Sequence, residues 1–96
     1  MVIYDPLAYN SRPEYYVEYQ PDPDEKVYQK DWIFVNGRLL GQGMTNPNGQ
    51  GFNLYLDKQM VDEDGEEVHI MNKLRTFPTM EDLRDFVESN AGTLLS

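Results

Sequence analysis

Asp31-Trp32-Ile33-Phe34-Val35-Asn36-Gly37-Arg38-Leu39-Leu40 is the stretch that decides how the rest of the chain is read. Two short apolar runs flank Asn-Gly, a pair that readily supplies the positive φ angles of a two-residue hairpin turn. The spacing predicts a β-hairpin with Val35 opposite Arg38, Phe34 opposite Leu39 and Ile33 opposite Leu40. Strand alternation then sets Ile33, Val35 and Leu40 on one face and Trp32, Phe34 and Leu39 on the other. A hairpin that is apolar on both faces needs cover on both.

Downstream, Gly41 to Gly51 carries four glycines and one proline and reads as an eleven-residue loop. Phe52-Asn53-Leu54-Tyr55-Leu56-Asp57 then alternates with period two, which predicts a half-buried strand with Phe52, Leu54 and Leu56 inward, continuing through Met60-Val61. Asp64-Gly65 separates it from Val68-His69-Ile70-Met71. A tight turn at Asp64-Gly65 would set Glu63 against Glu66 and Asp62 against Glu67, so a wider, solvated loop is expected. The chain closes on an amphipathic helix over 79–91. Thr79 is suited to the N-cap, Glu81 and Asp82 to the first turn, and Gly92 to the C-terminal stop. Met80, Leu83, Phe86, Val87 and Ala91 fall on one side of that helix; Glu81, Asp82, Asp85 and Glu88 fall on the other.

Upstream, residues 1–30 hold six of the seven tyrosines (Tyr4, Tyr9, Tyr15, Tyr16, Tyr19, Tyr28) and four of the six prolines. Proline removes a backbone donor and biases its predecessor toward extended conformations, so this segment reads as an extended arm. One short strand is expected at 15–19, where β-branched and aromatic residues dominate. The competing reading takes Ser11 and Glu14 as a capping box with Pro13 in a first helical turn. Gln20-Pro21-Asp22-Pro23-Asp24-Glu25 reads as a solvated connector. The fold class is therefore α+β: one domain over 1–96, with an extended Tyr/Pro-rich arm over 1–30 and antiparallel strands over 31–76. Three to five strands pack against the C-terminal helix, with Ile33, Val35, Phe52, Leu54, Leu56, Val68, Ile70, Leu83, Phe86 and Val87 in the core.

Composition narrows the function. Ninety-six residues suffice for one core. Seventeen acidic against eight basic residues leave a net charge of −9, which opposes direct binding to a nucleic-acid backbone. Cysteine is absent, so disulfides, thiolate nucleophiles and Cys-based zinc sites are excluded, in keeping with a reducing compartment. No basic and apolar leader opens the chain, and no run approaches the roughly 18 apolar residues that span a bilayer. A cytoplasmic location, bacterial or in a host cell, is the expectation, with no membrane partner.

No motif selects a reaction. His69 is the only histidine and lacks partners at zinc-signature spacing; between Val68 and Ile70 it reads as a sheet-surface side chain. The run Asp62-Glu63-Asp64-Gly65-Glu66-Glu67 matches an EF-hand loop only at Asp62, Asp64 and Gly65, and reads as a solvated hairpin tip. Ser11, Ser89 and Ser96 sit in no nucleophile elbow. The glycines of 41–51 match neither a P-loop nor a dinucleotide fingerprint. No catalytic, cofactor or metal residues are assigned.

One helix covers one face of the sheet, leaving Trp32, Phe34 and Leu39 to the tyrosine-rich arm or to another protein. Together with the negative charge, this points to an acidic protein-interaction module that engages a basic surface on a macromolecular partner. Its sharpest version is an inhibitor of the phage type that mimics nucleic acid. Tyr15, Tyr19, Asp22, Asp24, Glu25, Trp32 and Phe34 are the candidate partner-binding residues, and a homodimer is a second arrangement to test. The alternative is a small enzyme or ligand-binding domain that gathers tyrosines and carboxylates in a pocket beside 41–51.

Overall fold

The computed structural model describes residues 15–95. Five strands, β1 (Val17–Pro21), β2 (Lys30–Val35), β3 (Arg38–Thr45), β4 (Phe52–Val61) and β5 (Glu67–Phe77), form an antiparallel meander in chain order. One helix, α1 (Met80–Leu95), packs on one face. This is the α+β architecture expected, with the sheet at five strands. The capping-box alternative at Ser11 and Glu14, and the arm's Tyr4 and Tyr9, lie outside the described residues.

The central hairpin turns at Asn36 and Gly37, whose φ angles of 52° and 78° are both positive. Val35 pairs with Arg38 and Phe34 with Leu39, as expected, but Ile33 pairs with Gly41. Leu40 is the extra residue of a β-bulge, which keeps its side chain in the core beside Ile33 and Val35. Replacing Asn36-Gly37 by Val-Val should cost about 2 kcal/mol or more, because β-branched residues are strained at two positive-φ positions. An unchanged midpoint in chemical denaturation would contradict this.

The glycine-rich segment is corrected. The structure carries β3 through Gly41-Gln42-Gly43-Met44-Thr45, paired to β2 and β4, and confines the loop to 46–51. Small residues are required at both glycines: a Cβ on Gly41 would run into the backbone of Tyr55 in β4, and one on Gly43, which faces the helix, would stand 3.1 Å from Leu83 Cδ2. Ladder hydrogen bonds on both sides compensate the weak strand preference of glycine.

Ile33, Val35, Leu40, Leu54, Phe77, Leu83, Val87 and Ala91 form the core, with Phe52, Leu56, Met80 and Phe86 packed at its margin. Val68 and Ile70 are a second correction, being 37% and 43% exposed. β3 pairs with β4 only as far as Leu56, so beyond it β4 and β5 form a two-stranded ribbon with no third strand beside it among the described residues. The ribbon's alternation is that of a buried strand, but the helix lies elsewhere. At its tip, residues 62–66 form the wider loop expected; the Asp62 carboxylate accepts the N–H groups of Asp64 and Glu66, and Gly65 has a φ of 79°.

Thr79 caps α1: its hydroxyl accepts the Asp82 N–H at 3.1 Å. The helix does not stop at Gly92. It bends at Asn90 (φ −125°, ψ 15°), whose side-chain amide donates to the Phe86 carbonyl, and continues to Leu95. Leu94 and Leu95 pack against the core, and that contact outweighs the glycine as a stop signal. The first strand begins two residues later than expected and takes in Gln20 and Pro21, leaving 22–29 as the connector. Pro21 is tolerated because β1 is an edge strand.

Candidate interaction surface

Burial of Leu83, Val87 and Ala91 leaves the opposite side of α1 exposed. Because 3.6 residues make a turn, Glu81, Asp82, Asp85 and Glu88 fall together on that side. No cation of the described residues lies within 4 Å of these four carboxylates. Arg84, the one base on the helix, is turned inward instead: its Nη2 donates to the buried Asp31 carboxylate at 2.8 Å. The guanidinium also lies 4.5 Å from the centre of the Tyr19 ring. Arg84 thus pairs with Asp31, and among the described residues none of the outer carboxylates has an ion-pair partner.

Tyr19 sits between strand and helix, its single hydroxyl proton shared between Glu88 Oε2 at 3.2 Å and the Arg84 carbonyl at 3.3 Å. Burial, then the negative charge of Glu88, pushes this phenol far above its ordinary pKa, so it remains a donor throughout the physiological range. Next to it, Gln29, Met80, Glu81, Arg84, Asp85 and Glu88 line a concavity of about 300 Å³. The end of the 22–29 connector therefore borders the acidic side of the helix.

Within the connector the Asp22 carboxylate receives the Asp24 N–H at 2.9 Å, the Trp32 side chain and, at 3.3 Å, the Lys30 ammonium. Its pKa is lowered, first by the backbone bond from Asp24. Glu25 accepts the N–H groups of Val27 and Tyr28, and these bonds, that from Tyr28 foremost, lower its pKa too. Lys30 also stands 4.8 Å over the Trp32 ring.

The candidate residues are thereby sorted. Asp22, Asp24 and Glu25 share one connector, and Asp22 meets Trp32. Tyr15 and Tyr19 pack toward the helix and the core. Trp32 and Phe34 alternate to the other face of the sheet, half-buried, so the tyrosines and these two rings do not form one patch. On that face Asn53, only 2% exposed, accepts the Thr76 hydroxyl and donates to Tyr55. The acidic residues of α1 were legible as the solvated side of a helix, but their proximity to Gln29 of the connector and to Tyr19 of β1 had no signal in local spacing.

The ribbon carries a second charged group. Asp57, with its side chain 6% exposed, meets His69 Nδ1 at 2.8 Å, while Glu67 meets His69 Nε2 at 3.2 Å and also accepts from Gln59. Hydrogen bonding to Asp57 chiefly raises the His69 pKa. A raised folded-state pKa means that the clasp stabilises the fold fully below the unfolded value of about 6.5 and loses its contribution as pH rises through the folded value. The unfolding midpoint should fall with pH in that window, and H69Q should remove that component. A pH profile unchanged by H69Q would count against the clasp.

Leu39, Leu40, Met60, Leu94, Leu95 and Arg38 help line a second concavity of about 560 Å³ between the ribbon, the central hairpin and the end of α1. Among the described residues, no tyrosine lines either concavity. No helix among the described residues is long and apolar enough to cross a membrane. No family model matches the chain, and no curated protein or solved structure matches it.

Proposed function

We propose that this protein is an acidic interaction module that engages a basic surface on a macromolecular partner. The observation that carries the reading is the side of α1 on which Glu81, Asp82, Asp85 and Glu88 stand exposed while Arg84 turns inward to Asp31. At about 1.5 Å rise per residue, Glu81 to Glu88 spans roughly 10 Å. Within that span lie four carboxylates, against a phosphate every ~3.4 Å along one nucleic-acid strand. A basic site shaped for phosphates is therefore the sharpest candidate, with competition for nucleic acid as the mode of inhibition. Asp24 and Glu25, on the connector, are further carboxylates available to such a partner. A reducing, cytoplasmic compartment is where the cysteine-free composition directs the search for the partner.

The test pairs wild type with a variant carrying E81K, D82K, D85K and E88K. Proteins captured from the native host by wild type and lost with the variant are the partners to measure. Association should slow as salt rises from about 0.05 to 0.5 M, as the screening length falls from roughly 14 to 4 Å. The variant should slow association more than it speeds dissociation. Equal capture by both proteins, or association insensitive to salt, would overturn the reading.

A further inference from the structure

The two edges of the sheet are managed differently. β1 is five residues long and ends in Pro21, devices that blunt an edge. β5 is eleven residues long and free of proline, and no strand lies on its outer side among the described residues. An extended strand of this length presents a row of N–H and C=O groups that can template another strand.

From Glu67 to Lys73, β5 is regular: its partners on β4 advance one for one from Val61 to Tyr55, until a bulge at Leu74 breaks the pattern. Alternation sets Val68 and Ile70 on the same face as Met60, and all three are substantially exposed. Glu67, His69, Met71 and Lys73 lie on the other face.

We propose that a second copy of this chain occupies this edge, the two β5 strands pairing antiparallel over residues 67–73 about a two-fold axis at Ile70. The sequence is self-complementary in that register. Ile70 meets its own counterpart, Val68 lies opposite Asn72 and diagonal to the other Ile70, and Glu67 lies opposite Lys73 twice. The axis is perpendicular to the sheet, so faces are preserved. Met60, Val68 and Ile70 of both copies join in one apolar strip, and the two Glu67–Lys73 pairs lie on the opposite side. Glu67 is available for this, since its contacts with His69 and Gln59 both use Oε1. Beyond Glu67, each acidic tip runs toward Arg75 of the other copy. Moving the axis to Met71 would set Glu67 against Arg75 across the bulge, on opposite faces, and moving it to His69 would lose Lys73. The pairing rests on the β5 edge and is independent of the acidic side of α1.

Sedimentation equilibrium of the full chain tests it. The apparent mass should rise with concentration from 11.2 kDa toward twice that value. E67K and K73E should each weaken association about tenfold, since cross-strand like charges repel where opposite charges attracted. An equimolar mixture of the two single variants, or the double variant E67K/K73E, should restore it. I70E should abolish it, and E81K should leave it unchanged; thermal melts check that each variant folds. A monomer at all concentrations up to about 1 mM would overturn the proposal. Association indifferent to E67K and K73E, or not restored by mixing them, would overturn it as well.

Discussion

Replacing Leu83 by alanine should lower the free energy of unfolding by about 2 to 5 kcal/mol, the range for a fully buried leucine that leaves a cavity. Leu83 is 0% exposed and sits where α1 meets Gly43 of β3, in a core with only eight buried apolar residues among those described. A core this small has few neighbours able to collapse into the vacated space, which places the cost toward the upper end. Urea denaturation with an unchanged m-value checks it. A loss under about 1 kcal/mol would mean that the helix is not seated on β3 as described.

Gly41→Ala should be comparably damaging, at about 3 kcal/mol or more. The added Cβ would overlap the backbone carbonyl of Tyr55. Backbone cannot swing aside as a side chain can, so β3 and β4 would have to separate where Gly41 pairs with Leu56. Gly43→Ala is the contrast. Its Cβ would meet the terminal methyls of Leu83 at 3.1 and 3.3 Å, and these can shift by a rotamer adjustment, so about 1 kcal/mol is expected. In an L83A background the Gly43→Ala cost should vanish or reverse, whereas the Gly41→Ala cost should persist. A double-mutant cycle with no coupling between positions 43 and 83 would contradict this packing.

Several elements could be read from local chemistry because local chemistry causes them. Asn36-Gly37 needs no distant partner to favour its turn, and the observed φ angles are both positive. Thr79, Glu81 and Asp82 favour a helix start because a cap and a dipole act within one turn. The like charges on either side of Asp64-Gly65 disfavour a tight turn whatever the rest of the chain does. Among the candidate residues, Asp22, Asp24 and Glu25 lie in a connector of the kind the prolines imply. Tyr15 and Tyr19 were legible as aromatics, but not as residues turned toward the helix, because which face of β1 the helix covers depends on a neighbour more than sixty residues away.

Local sequence thus suffices for the turns at Asn36-Gly37 and Asp64-Gly65, the helix start, the alternation along β2 and β4, and a charge balance that leaves carboxylates in excess. Tertiary structure alone decided which alternating faces are buried. Val68 and Ile70 carry the same pattern as Leu54 and Leu56, yet they stay exposed because α1 does not cover the β4–β5 ribbon. It also decided that Gly41 to Thr45 form a strand, since the ladders to β2 and β4 and the close approach of Leu83 supply what glycine's own preference lacks. The physical reason is one of range: turn and cap energies act over two to four residues, whereas burial and strand pairing are set by residues far apart in the chain that no local pattern records.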